Sequence, residues 1–234
     1  MPELFKEGIL NMSTTPLLPS AGALPWGEYF LNRAAVVLTV ALILIEISDL
    51  LRIFPQLARC ISRWKGNLEV EHSVSVARTR NTIALPSILI ISMLADRFRL
   101  INPTFGALVS PSWHLLMTFG IVMLAIFLRW LFYLCTPLRS TTSEYASTLR
   151  HMVFNYLILL SVLMLASALI MMAVKVPPAA VRGVLLAECA IGLLLHLRRA
   201  SQILSSRYGS LATILYLCAL EILPVGILIF GCII

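Results

Sequence analysis

Met152 to Val174 reads M-V-F-N-Y-L-I-L-L-S-V-L-M-L-A-S-A-L-I-M-M-A-V and carries no charged side chain. Helix rises ~1.5 Å per residue, so about 20 residues cross the ~30 Å hydrocarbon layer of a bilayer. The run is long enough to do so. It is uninterrupted rather than alternating, and it satisfies its own backbone in lipid only as a helix.

Five more apolar blocks lie around it: Ala34 to Ile53, Thr82 to Phe98, Trp113 to Cys135, Ala179 to Leu197 and Leu211 to Ile234. Together they predict an all-α, polytopic transmembrane helix bundle of about six spans. Residues 1–33 form an extramembrane N-terminal tail and residues 34–234 a single transmembrane helical domain. The second block is the weakest, because its apolar run stops at Asp96 after about 14 residues and can be read as re-entrant. In that case five spans remain and the two ends lie on opposite sides. Composition agrees: 59% of the 234 residues are hydrophobic and 12% charged, with a mean hydropathy of +0.93, whereas soluble domains are roughly a quarter charged.

The first residues have an acidic start, Glu3 and Glu7, and no basic stretch ahead of an apolar core, so no cleavable signal peptide is expected. Pro16, Pro19 and Pro25 suggest an extended tail, and Trp26 and Tyr29 suit a membrane interface.

Lys and Arg set the orientation, since positive connections stay cytoplasmic. Arg52, Arg59, Arg63, Lys65, Arg78 and Arg80 follow the first span, and Arg139, Arg150, Arg198, Arg199 and Arg207 fall in later connections on that side. The opposite side holds Lys6, Arg33, Arg97, Arg99, Lys175 and Arg182, and Arg129 lies inside the third span. With six spans, both termini face outward. Because the basic residues border apolar blocks, the net charge of +7 points to anionic lipid and not to nucleic acid. Leu57 to Trp64 reads either as a short helix on the inner leaflet, with Arg59 and Arg63 on one face, or as a solvated basic loop.

The five cysteines have no C-x-x-C spacing, and His72, His114, His151 and His196 are scattered. Neither a disulfide framework nor a metal site is indicated. Zinc-protease and G-x-S-x-G patterns are absent, so neither enzymatic activity nor a cofactor is expected.

Acids inside the spans are the informative residues, because a mid-membrane carboxylate costs about 3 kcal/mol and usually faces a partner or a wet cavity. Glu46 and Asp49 share a side of the first span, with Arg52 one turn on. Asp49 with Arg52, and Asp96 with Arg99, are expected as interfacial ion pairs. Glu188 and Glu221 both fall near the midplane of the last two spans, which a short basic loop joins. Pro224 cannot donate to the carbonyl of Leu220, nor Pro86 to that of Thr82, so both prolines are candidate kinks. Glu188, Glu221 and Glu46 are the candidate proton or cation site; alternatively they fix packing as protonated hydrogen-bond donors.

The run Y-L-C-A-L-E-I-L-P, Tyr216 to Pro224, resembles the closing signature of an uncharacterised family of polytopic inner-membrane proteins of Bacteroidota, a domain of unknown function. The resemblance implies a multi-pass protein of the bacterial inner (cytoplasmic) membrane, and it brings no activity with it. The expected function is therefore a non-enzymatic inner-membrane protein that assembles with membrane partners or with itself. The alternative is a small transporter or ion-coupled subunit using the mid-membrane carboxylates.

Overall fold

The computed structural model describes residues 25–101, 109–135, 143–206 and 208–226, and all regular elements among them are helical. In chain order they are α1 (Phe30–Ser62), α2 (Trp64–His72), α3 (Val74–Arg97), α4 (His114–Cys135), α5 (Ser143–Ala173), α6 (Pro178–Ser205) and α7 (Ser210–Leu217). A widened π turn, Cys218–Ile222, continues α7.

Four stretches are long and apolar enough to cross a membrane: Phe30–Ser62, Pro111–Leu134, Tyr145–Ala173 and Pro178–Ser205. Ser210–Gly226 is apolar but shorter. The weak second block lies in α3, which begins at Val74, well before Thr82, and so takes in Arg78 and Arg80. α3 packs against α1, α4 and α5 and buries Ile83, Ala84, Ile88, Ile90, Leu94 and Ala95. A helix with so much of its surface against protein need not be uniformly apolar, and buried Ser87 and Ser92 donate to the carbonyls of Ile83 and Ile88. Pro86 sits buried within α3 without ending it.

The stretch Leu57 to Ser62, expected in a surface helix or basic loop, is instead the last turns of α1. Leu57 is completely buried and packs with Ile53, Ile83, Ala84 and Ile158, which a helix lying on a leaflet could not do. Pro55 is on the exposed side and leaves the helix intact. The chain turns at Arg63, whose backbone is extended.

That turn depends on a glycine. A Cβ on Gly66 would stand 2.9 Å from the carbonyl oxygen of Arg59, a backbone atom that cannot swing aside. Gly66→Ala is expected to cost ~1–3 kcal/mol by overpacking, read as a lower melting midpoint in detergent.

Side chains from α5 and α6 tie down the α1–α2 turn. Arg199 donates to the carbonyls of Ile61 and Ser62, Asn155 donates to Asn67 Oδ1 at 2.9 Å, and the Tyr156 hydroxyl donates to the carbonyl of Cys60 at 3.3 Å. At the other end, α3 and α5 close on residues in the left-handed region, Arg99 (φ 49°) and Lys175 (φ 59°). Leu100 N–H reaches back to the carbonyl of Ala95 at 2.8 Å and Val176 N–H to that of Met171 at 3.0 Å. These bonds satisfy carbonyls that a helix end would otherwise leave bare, and each cation lies beside the negative end of a helix dipole.

Candidate functional site

The most concentrated polar chemistry of the described residues is buried where α4, α5, α6 and α7 meet. Arg129 interrupts an otherwise apolar α4, and Glu221 lies in the π turn after α7. The turn's geometry follows from Pro224: lacking an N–H, it cannot bond to the carbonyl of Leu220, and Leu223 N–H instead reaches Cys218. The extra residue in the turn lets two consecutive side chains, Leu220 and Glu221, both face inward, at 0% and 4% exposure.

Arg129 grips the carboxylate with two nitrogens, Nε to Oε2 at 2.9 Å and Nη2 to Oε1 at 2.7 Å. The fork matches the carboxylate in plane, the strongest form of the pair. Arg129 also donates to the carbonyls of Arg150 and Leu149, at 2.9 and 3.0 Å. Both are near the start of α5. Tyr133, one turn on from Arg129 in α4, donates its hydroxyl to Oε1 at 2.6 Å, and its ring lies 4.8 Å from the guanidinium carbon. His196 of α6 brings Nε2 to 2.9 Å from Oε2.

Charge follows from these contacts. One guanidinium and one carboxylate cancel, so the cluster tolerates burial that neither ion would survive alone. His196 Nδ1 is buried and has no hydrogen-bond partner. The neutral ring with its proton on Nε2 satisfies Glu221 and leaves only an unused acceptor; a charged ring would bury an unpaired N–H. With four donors on its two oxygens, Glu221 has little capacity left for a metal ion or an exchanging proton.

The other expected residues fall elsewhere. Glu188 accepts from Ser167 of α5 at 3.1 Å and lines an apolar groove of about 310 Å³ with Phe54, Tyr156 and Leu160. It is eight residues along α6 from His196, about 12 Å of helix, so Glu188 and Glu221 belong to different sites. Glu46 sits at the midpoint of α1, apart from both.

Neither expected interfacial ion pair forms. Asp96 accepts instead from Trp26 Nε1 at 2.7 Å and from Thr118 Oγ1 at 3.4 Å. Arg97 lies over the Trp26 ring, and Arg99 is occupied in the left-handed helix stop. Asp49 and Arg52 are both exposed on α1 and do not come within ion-pair distance. Spacing three apart put them on one side of the helix but did not bring the long side chains together.

A second polar cluster lies at the α1–α2 end. Arg80, only 1% exposed, pairs with Glu71 at 2.9 Å and donates twice to Asn81 Oδ1. Glu71 Oε1 also accepts from Ser147 at 2.5 Å and meets His151 Nδ1 at 2.9 Å. The hydrogen bond from His151, followed by those from Ser147 and Arg80, lowers the Glu71 pKa to about 2 despite partial burial. A groove of about 560 Å³ opens beside it, lined by Glu71, Arg78, Arg80, Asn81 and His151 among others. No group of three His, Cys, Asp or Glu side chains among the described residues is arranged to hold a metal ion.

Residues 70–231 match the family model described as Domain of unknown function (DUF4271), and the chain belongs to that family. No curated protein and no solved structure matches the chain. The matched region contains both polar clusters and leaves out α1, with Glu46.

Proposed function

We propose that this chain is a non-catalytic, multi-pass protein of a bacterial inner membrane whose role is to assemble with other membrane proteins or with itself. Glu221, one of the two acids expected near the midplane, is neutralised by Arg129 and held by four donors. That favours a scaffolding role over a transporting one. A transport carboxylate must exchange its partner, whereas this one is locked to two other helices, α4 and α6. α1 leaves Val37, Leu44, Ile45 and Leu51 more than 60% exposed, a strip that lipid or another helix would cover.

In this proposal α3 and the α7 segment also cross the bilayer, giving six spans with both termini on the side opposite the basic α1–α2 end. Purification of the intact chain in mild detergent is expected to yield a stoichiometric membrane partner or a defined homo-oligomer. A monodisperse monomer without a partner would reject the assembly role. Reporter fusions at the C-terminus are expected to read as external, and a cytoplasmic reading would reject six spans.

A further inference from the structure

Glu46 is half-buried at the middle of α1, and its Oε2 is sealed from the surface without a hydrogen-bond partner. The two acids expected near the midplane are provided for: Glu221 by a guanidinium, a phenol and an imidazole, Glu188 by Ser167. Glu46 borders a small cavity of about 30 Å³ between α1, α3 and α5, whose lining also includes Pro86, Ser87 and Ser161. That is room for a single water-sized species.

The remaining polar atoms there point to what the species must be. Ser87 gives its hydroxyl proton to the carbonyl of Ile83 at 2.9 Å, and Ser161 gives its own to that of Ile158 at 2.8 Å. Both hydroxyl oxygens are left as acceptors, as is Glu46 Oε2. α3 and α5 contribute no titratable or charged side chain to the lining, and the nearest charge on α1 is Asp49, of the same sign as Glu46. A pocket of acceptors beside a half-buried acid, between apolar helices, calls for a positive or proton-donating occupant.

We infer that Glu46, Ser87 and Ser161 form an intramembrane site for one small monovalent cation, a proton on the Glu46 carboxyl or a sodium ion coordinated by the three oxygens. This goes beyond the assembly role and does not depend on it, because the site uses none of the Arg129–Glu221 cluster.

The test uses the full chain in detergent, with sodium chloride raised from about 1 to about 100 mM and choline chloride keeping ionic strength constant. If sodium occupies the site, the melting midpoint rises by about 2–4 °C in the wild type, and the rise is absent in Glu46→Gln and reduced in Ser161→Ala. If a proton occupies it, sodium has no effect. The infrared spectrum at neutral pH then shows a protonated-carboxyl band that Glu46→Gln removes and Glu188→Gln does not. Ser161→Ala shifts that band while leaving the fold intact, so the test survives a poorly folding Glu46 variant. Absence of both the sodium shift and a Glu46-dependent protonated-carboxyl band would overturn the site.

Discussion

Arg129→Leu is expected to destabilise the protein by ~3–5 kcal/mol, the usual cost of leaving one partner of a buried ion pair uncompensated. Leucine suits an apolar helix, so the loss arises on the other side of the pair. Glu221, 4% exposed, would keep only Tyr133 and His196 as donors, and the carbonyls of Leu149 and Arg150 would lose theirs as well. Glu221→Gln is expected to be milder, about 1–3 kcal/mol. The amide still accepts a hydrogen bond, and Arg129 keeps both carbonyls. Thermal unfolding in detergent should rank the two in that order, and the reverse order would mean that Glu221 is held mainly by Tyr133 and His196.

The second large effect is at the α1–α2 end. Arg80→Ala is expected to cost ~3 kcal/mol or more, because it strips the counter-charge from Glu71 and opens a cavity at a position 1% exposed. The same cluster sets an acid sensitivity. Glu71 titrates at about 2 in the folded chain against an ordinary 4.5. A carboxyl with a depressed folded pKa adds stability that is fully present above its unfolded value and lost as pH falls to its folded one. Stability should therefore fall between about pH 4.5 and about pH 2. Glu71→Gln, already weaker at neutral pH, should lose less over the same interval. Melting midpoints at neutral pH and near pH 3 give the comparison. Equal acid loss in both proteins would place the sensitivity elsewhere.

The all-helical architecture was legible in the sequence because long apolar blocks have few alternatives. Four stretches meet the length and hydropathy a span needs, whereas α3 does not announce itself. Its first turns carry Arg78, which is exposed, and Arg80, which is buried against protein, and a hydropathy argument cannot distinguish those two surroundings. The end of α1 was hidden for a related reason. Arg59 and Arg63 resemble an interfacial pattern, but the buried residues beside them, Leu57 and Cys60, decide the packing.

The site was half legible. Glu221 and Pro224 stand out as an acid and a helix breaker one turn apart, and the structure places the acid in a π turn that ends two residues before the proline. Its partner was in plain view: Arg129 is the one charge in Trp113–Cys135, and a buried arginine demands a carboxylate. Reasoning from the hairpin of the last two spans favours Glu188, because sequence gives depth along a helix but not rotation about it. His196 and Tyr133 could have followed from Arg129. Tyr133 is one turn away on the same face, and His196 lies in α6, at a depth a long arginine and its acid can reach. The Glu71 cluster draws on α2, α3 and α5, and no spacing rule links residues so distant in sequence.

The central claim is that Glu221 serves as a fixed clamp between helices, and a double-mutant cycle tests it most directly. Unfolding of wild type, Arg129→Leu, Glu221→Leu and the double variant should give a coupling of about 2 kcal/mol or more, with the double variant more stable than Arg129→Leu alone. Additivity within about 0.5 kcal/mol would contradict the clamp.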